Sequence, residues 1–218
     1  MNPETTTTTT TTATITLPAA ELRRILSALN EYTHPDKTRH ALTLARLTPV
    51  IIEQTAGDET RPTALSWEAT NSTELVQITC RVEHTLTAPA LIDPAQLLAA
   101  LPKKSDARTA GNTTLTLTGD TWQITTGTAT TTGTTPHTGA TWPATLSLWL
   151  DQHTGATPHN IGAPMLTRLT KLAKHLDTDT LRLATVGHTD GQPDPRKPLT
   201  YTITSTTAEA RVLIMPRR

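Results

Sequence analysis

The stretch that decides the fold spans residues 113–125 and reads TTLTLTGDTWQIT. Leucines alternate with threonines before the Gly119-Asp120 pair, and Trp122 and Ile124 alternate with polar residues after it. Two alternating runs separated by a two-residue turn predict a β-hairpin. About a quarter of the whole chain is threonine, whose β-branched side chain favours strands over helices. We therefore expect most of the chain to form β-strands.

The same alternation predicts further strands on both sides of this hairpin. They are expected at residues 13–17, 41–47, 50–55, 64–69, 75–82, 180–185, 199–204 and 211–215. Residues 1–12 form a separate segment, because the threonine run within them buries too little apolar surface to offset the entropy of ordering it. We expect this tail to be disordered and outside the fold.

Two helices are predicted ahead of the hairpin. From Pro18 onward, leucine and isoleucine recur at helical spacing, while Arg23 and Arg24 project from the opposite side. The second helix is expected to begin after Asp93, an N-cap residue followed by proline at the first helical position. It should end at Pro102, and Lys103 and Lys104 follow at once.

The third helix is predicted at about residues 163–176. Leu166, Leu169 and Leu172 lie on its apolar side, with Ala173 and Leu176. Its other side carries the basic residues Arg168, Lys171 and Lys174, with His175. All three helices therefore combine an apolar face for packing with a basic face.

Helices and strands recur in one order along the chain. Three modules, at about 13–82, 86–135 and 158–218, each place a helix before several strands, and a connector rich in Gly, Thr and Pro lies near 127–145. Such repetition suggests a repeated βαβββ unit. The predicted fold class is α+β, with antiparallel sheets that carry amphipathic helices on one face.

Composition and motifs exclude several functions. The chain has 19 Lys plus Arg against 19 Asp plus Glu, which argues against a general polyanion binder. The only cysteine, Cys80, is expected to be a buried, unreactive thiol. No phosphate loop, Gly-x-Ser-x-Gly or zinc-ligand spacing occurs, and the His34/His40 and His153/His159 pairs lack suitable partners. We therefore expect no enzyme activity, no cofactor and no metal.

The cellular location is predicted from the lack of a membrane helix and of a secretory signal in the sequence. No apolar run approaches the roughly 18 residues of a membrane helix. The N-terminus has neither the basic flank nor the apolar stretch of a secretory signal. A cytoplasmic protein is expected.

The end of the chain carries a resemblance to a known family. Residues 210–218 read ARVLIMPRR and are similar to the terminal strand of the bacterial DNA polymerase III β subunit, the β sliding clamp, which ends in Met-Pro-Met-Arg-Leu. Residues 91–98 resemble a helix entry of that family, 161–183 resemble its last helix and following strand, and Trp142-Pro143 stands where it often has an aromatic residue and proline. Arg217 replaces the second methionine of the tail.

The resemblance implies a function and a domain organisation. The expected protein is a DNA sliding-clamp-like processivity factor that tethers a polymerase or repair protein to DNA. Residues 13–143 would form a clamp-like domain of two half-modules, and residues 144–218 a C-terminal half-module. A bacterial clamp protomer usually has six half-modules, so three half-modules imply a homo-oligomer. Double-stranded DNA, a DNA polymerase and other clamp-binding proteins are the implied partners.

Two sites follow from these expectations. The basic helix faces predict contacts with DNA phosphates through Arg23, Arg24, Lys103, Lys104, Arg168, Lys171 and Lys174. The resemblance places Leu213, Met215 and Pro216 at a groove for partner peptides. Ordinary solvated helix faces and ordinary strand core are the alternative interpretations of these two sets.

Other functions stay open at the level of sequence. A clamp-derived protein-binding module that no longer encircles DNA is the main alternative. A threonine-rich adhesive module and a threonine solenoid are less well supported, because the chain has three amphipathic helices and no fixed repeat period.

Overall fold

The computed structural model describes residues 12–51, 64–136, 139–143, 163–178, 182–186, 188–189, 192–193, 199–205 and 207–215. Its helices are α1 Ala19–Tyr32, α2 His40–Thr43, α3 Pro94–Ala100, α4 Lys104–Ala107 and α5 Ala163–His175. Its strands are β1 Thr12–Pro18, β2 Ala45–Val50, β3 Ala64–Thr70, β4 Glu74–Arg81, β5 Glu83–His84, β6 Ala90–Ile92, β7 Asn112–Thr118, β8 Thr121–Thr126, β9 Ala129–Thr134, β10 Arg182–Val186, β11 His188–Thr189, β12 Gln192–Pro193, β13 Leu199–Thr204 and β14 Ala208–Ile214.

The strands form antiparallel sheets, and the fold class is α+β as predicted. Sheet A has five strands in the order β5-β1-β7-β8-β9, and sheet B has seven in the order β10-β13-β14-β4-β3-β2-β6. The short strands β11 and β12 pair with each other. The predicted hairpin is confirmed: β7 and β8 pair with Leu115 opposite Ile124, and Gly119 adopts the positive φ of 60° that the turn requires.

Strand pairing interlocks the first two modules. The leading strand of the first module, β1, pairs with β7 of the second module along its full length. The leading strand of the second module, β6, pairs in return with β2 of the first. Each of these modules therefore completes its sheet with a strand of the other.

The third module joins through its last strand. β14 pairs antiparallel with β4, the last long strand of the first module, from Ala208 opposite Cys80 to Ile214 opposite Glu74. Sheet B thus contains strands from both sides of residue 143. The division into a domain at 13–143 and a half-module at 144–218 stays a prediction.

The three predicted helices appear as α1, α3 and α5, whereas the one-turn helices α2 and α4 were not predicted. In α1 the residues Leu22, Ile25, Leu26 and Leu29 are fully buried. Asp93 caps α3, since its side-chain oxygen accepts from the backbone N–H groups of residues 95 and 96 at 3.0 and 3.1 Å. Apolar side chains of α1, α3 and α5 share one core with both sheets. Each described helix is too short or too polar to cross a bilayer.

Leu166, which was predicted on the apolar face of the third helix, is exposed in the structure. In α5 the buried residues include Met165, Leu169, Leu172 and Leu176, whereas Leu166 is 51% exposed. Successive helical residues are rotated by about 100°, so Leu166 lies at the edge of the stripe that runs through Met165.

Two strand predictions need correction. At the start of the strand predicted at 41–47, residues 41–43 belong to the short helix α2, because the backbone of Leu42 bonds to His34 and Arg39 rather than to a sheet. In the predicted connector, β9 forms from exposed threonines paired with β8, and a strand without apolar residues leaves no hydrophobic alternation to detect.

Part of the strand predicted at 50–55 lies outside the described residues. So do residues 1–11 of the predicted tail, while Thr12 begins β1.

The lone cysteine is buried as predicted. Cys80 is 2% exposed and faces the core from β4. Burial raises the pKa of its thiol to about 12, which leaves very little thiolate near neutral pH. An unreactive structural thiol is the expected consequence.

Candidate nucleic-acid interface

Basic side chains from three predicted helix faces converge in one groove. The groove lies where α1, α4 and the C-terminal end of α5 approach one another, because α1 packs against both of the other helices. We call it the basic groove. Its lining consists of Ala20, Arg23, Arg24, Ser27, Lys104, Ala107, Arg108, Lys174, His175 and Asp177.

The two arginines of α1 are held in different ways. The Arg23 guanidinium donates a hydrogen bond to the carbonyl oxygen of Leu98, at the end of α3, at 3.1 Å. Arg24 lies 3.5 Å from a carboxylate oxygen of Asp177, and the side chains are 45% and 79% exposed. Such an exposed ion pair is weak. It leaves the Arg24 charge available to a polyanion.

Three cations of the basic groove are exposed to solvent. They are Lys104 of α4, Arg108 just after it, and Lys174 in the last turn of α5. Within the described residues, none of them forms a salt bridge. Lys103 is also exposed and lies directly before α4, although it does not line the groove.

The remaining two predicted DNA contacts are paired with carboxylates of the same chain. Arg168 of α5 binds the carboxylate of Glu74 with two hydrogen bonds, of 2.5 and 2.6 Å. The Glu74 side chain is 1% exposed and that of Arg168 is 27% exposed. These bonds raise the pKa of Arg168 further. The pair fastens α5 to the start of β4.

Lys171 occupies the next turn of α5 and makes a looser contact. Its ammonium group donates to both carboxylate oxygens of Glu31, each at 3.1 Å. Half of the Lys171 side chain is exposed. This pair links α5 to α1 beside the basic groove.

His175 is the histidine of the basic groove. Burial lowers its pKa below the usual value of a histidine; the nearby Lys104 and Lys171 lower it further, while Glu31 opposes them. The imidazole is therefore neutral near pH 7. It adds hydrogen-bonding capacity to the groove but no positive charge.

The second predicted site lies on the outer face of sheet B, away from the helices. Leu213 of β14 is fully buried, and Met215 just beyond the strand is partly exposed. Pro216 lies outside the described residues. Leu213 forms a small cluster with Leu75 and Trp142, against which Met215 and Leu91 pack.

Several site residues escape prediction from sequence. Arg108 is expected among the basic residues that follow the second predicted helix and lines the basic groove, whereas His175 joins the groove because the helices converge. Glu74 is a lone carboxylate beside the apolar residues Leu75 and Val76, and no local pattern indicates its partner 94 positions later. Within the described chain, no group of three or more His, Cys, Asp or Glu residues is arranged to hold a metal ion.

The fold is that of bacterial DNA polymerase sliding clamps. The structure of the sliding clamp from Caulobacter crescentus matches with a TM-score of 0.63 and 12% identity, over 100% of this chain and 67% of that one. The clamp from Bacillus subtilis matches with a TM-score of 0.60 and 13% identity, over 94% and 64%. The clamp from Pseudomonas aeruginosa gives 0.58 and 10%, over 94% and 66%.

These matches define the fold but leave the function to be tested. The chain spans about two thirds of the length of the solved clamps. No protein-family model matches the sequence, and neither does any curated protein.

Proposed function

We propose that this chain is a DNA sliding-clamp-like processivity factor that tethers a polymerase or repair protein to double-stranded DNA. The observation that carries the proposal is the convergence of Arg23, Arg24, Lys104 and Lys174 from three helices into the basic groove. It occurs in a chain with no net charge. The clamp fold supports the same role. Such a protein acts in the cytoplasm, where bacterial DNA lies, and needs no catalytic group.

The chemistry of the basic groove suits sequence-independent binding. Lysine and arginine that neutralise phosphates release counterions, so affinity falls steeply as salt rises. Among the described residues, the groove has no Phe, Tyr or Trp side chain to stack on unpaired bases, which favours contact with duplex phosphates. Lys103 lies close enough to extend this contact. Arg168 and Lys171 reach DNA only if they leave Glu74 and Glu31.

Charge reversal in the basic groove tests the proposal. We expect Lys104→Glu, Arg108→Glu and Lys174→Glu together to abolish binding of a labelled duplex, measured by anisotropy at low salt. The matched control reverses Lys37, Arg39 and Arg81, which are exposed and lie outside the groove. Equal binding by both triple variants would contradict a role for the groove.

We propose in addition that the outer face of sheet B around Leu213 and Met215, with Pro216 next in the sequence, binds the partner protein. An apolar surface of this kind accepts a short peptide with one or two aliphatic or aromatic anchors. A labelled peptide of the Gln-Leu-x-Leu-Phe type should bind the protein and lose affinity for Leu213→Asp. Identical binding to the two proteins would place the peptide elsewhere.

A second function is favoured by one observation. Arg168 and Lys171 are paired with carboxylates of the same chain, which lowers the charge free to meet DNA. A clamp-derived module that binds proteins without encircling DNA fits this pairing. Retention on closed circular DNA with loss from linear DNA supports the clamp, whereas equal loss from both supports the module.

A further inference from the structure

The outer face of sheet B is already covered by a residue of this chain. Leu213 and Leu75 are register partners on adjacent strands, and both are fully buried. Trp142 packs with them in one cluster and is 9% exposed. It belongs to no helix or strand of the described chain. Among the described residues outside the strands and helices, Trp142 packs on this surface.

Trp142 belongs to the described segment 139–143, which contacts sheet B through apolar side chains. The indole Nε1 of Trp142 is buried without a hydrogen-bond partner, which is unfavourable because burial removes the water that would otherwise bind it. Among the described residues, the backbone of 139–143 makes no hydrogen bond to sheet B. Among the described residues, the Trp142 side chain is the contact of this segment with the outer face of sheet B. Within the same residues, loss of this contact would break no backbone hydrogen bond of sheet B.

We propose that Trp142 is a built-in competitor for the partner-peptide surface, so that a peptide binds only when the indole leaves Leu213 and Leu75. The proposal rests on the proposed peptide-binding role of this face. The ligand that replaces an indole is a peptide with a large aliphatic or aromatic anchor. The device sets the affinity of the clamp for its partners.

The expected gain in peptide affinity follows from the fraction of time for which the surface is open. A site that is open for only a fraction of the time has its apparent affinity reduced by that fraction. If Trp142 covers the surface for more than nine-tenths of the time, its removal raises peptide affinity by at least about tenfold.

The first experiment tests the site without any partner peptide. Trp142→Ala should leave an indole-sized gap over Leu213, and free indole should fill it. We expect indole to raise the thermal unfolding midpoint of Trp142→Ala in a saturable manner and to leave the wild type unchanged. No saturable effect on the variant would overturn the proposal, because the surface would then have collapsed rather than stayed open.

The second experiment measures how Trp142 changes the affinity for a partner peptide. Anisotropy of the labelled Gln-Leu-x-Leu-Phe peptide should show binding to Trp142→Ala at least about ten times tighter than to the wild type, with Trp142→Phe between them. Adding Leu213→Asp to Trp142→Ala should abolish it. Trp122→Ala, which removes a buried indole from sheet A, is the control and should leave peptide affinity unchanged.

The outcomes separate the two proposals. Equal affinity of the wild type and Trp142→Ala overturns the competitor and leaves the proposed peptide surface intact. Binding to neither protein overturns the peptide surface itself and the competitor with it.

Discussion

The contact between Arg168 and Glu74 gives Arg168 a structural role that its position on the helix alone does not indicate. On the helix, Arg168 is one of three cations on a polar face. In the fold it meets a carboxylate buried at the start of β4, which also accepts a bond from the Asn71 side chain at 3.3 Å. A buried charge requires such partners, because desolvation is costly. Arg168 is therefore primarily a structural residue.

Replacing Arg168 should destabilise the protein strongly. We expect Arg168→Met, which keeps the apolar stem, to lower the free energy of unfolding by about 3 kcal/mol or more, since it leaves Glu74 buried without a cation. Urea denaturation measures this loss. Lys171→Met on the same helix breaks only the more exposed pair with Glu31 and should cost less than about 1 kcal/mol. Similar losses for both variants would contradict this assignment.

His175 should make stability depend on pH. Because its pKa is lowered in the folded state, the unfolded chain binds the proton more readily. Its contribution to stability is complete above the ordinary histidine pKa of about 6.5 and is lost as the pH falls toward the lower folded value. His175→Gln should reduce the fall of the urea midpoint as the pH drops below about 6.5. An unchanged slope would show that other groups control this range.

At the scale of single elements, β9 combines an exposed surface with one close internal contact. Its residues are exposed or half-buried threonines, alanine and glycine. Gly133 lies opposite Trp122 of β8, and the indole ring occupies the space where a side chain at residue 133 would begin. A glycine is thus needed for β9 to lie flat against the Trp122 ring.

Adding one methyl group at this position should displace β9. We expect Gly133→Ala to lower the free energy of unfolding by about 1–3 kcal/mol, because its Cβ would lie 2.7 Å from Cε2 of Trp122. Trp122 fluorescence should shift as the ring moves. Gly139→Ala is the matched control, since nothing lies within 4 Å of its added Cβ. A fully stable Gly133→Ala would contradict this packing.

How far sequence predicts an element depends on whether local chemistry determines it. The hairpin at 113–125 and the capped helix after Asp93 carry their own signals, namely apolar alternation, a turn glycine and an N-cap. The strand β9 has no apolar residue that marks a face. Sites depend on contacts between distant residues, so Glu74 with Arg168 and Trp142 over Leu213 required the fold.

At the scale of the whole molecule, the exposed edge of β9 suggests how copies associate. In sheet A, β9 pairs with β8 and has no second partner among the described strands. Unpaired edge strands readily pair with another chain. Within this chain, the junction of β4 with β14 joins the last strands of two modules in the same antiparallel manner.

Self-association should therefore depend on β9. We expect sedimentation at micromolar concentration to give a species heavier than the 23.5 kDa chain, and Thr132→Lys to shift it toward the monomer because charge disfavours edge pairing. Thr87→Lys, an equal charge change in an exposed loop, should have no effect. A monomeric wild type would argue against a ring built from this chain.

The exchange of leading strands between the first two modules also has a consequence during synthesis. Thr16 of β1 meets Thr114 of β7, 98 positions later. At about 5–20 residues per second, a ribosome needs roughly 5–20 seconds to make the partner after β1 has appeared. Throughout that delay Ile15 and Leu17 lack the neighbours that bury them in sheet A. The nascent N-terminal segment is thus a predicted binding site for chaperones, and sheet A closes only when the second module has left the ribosome.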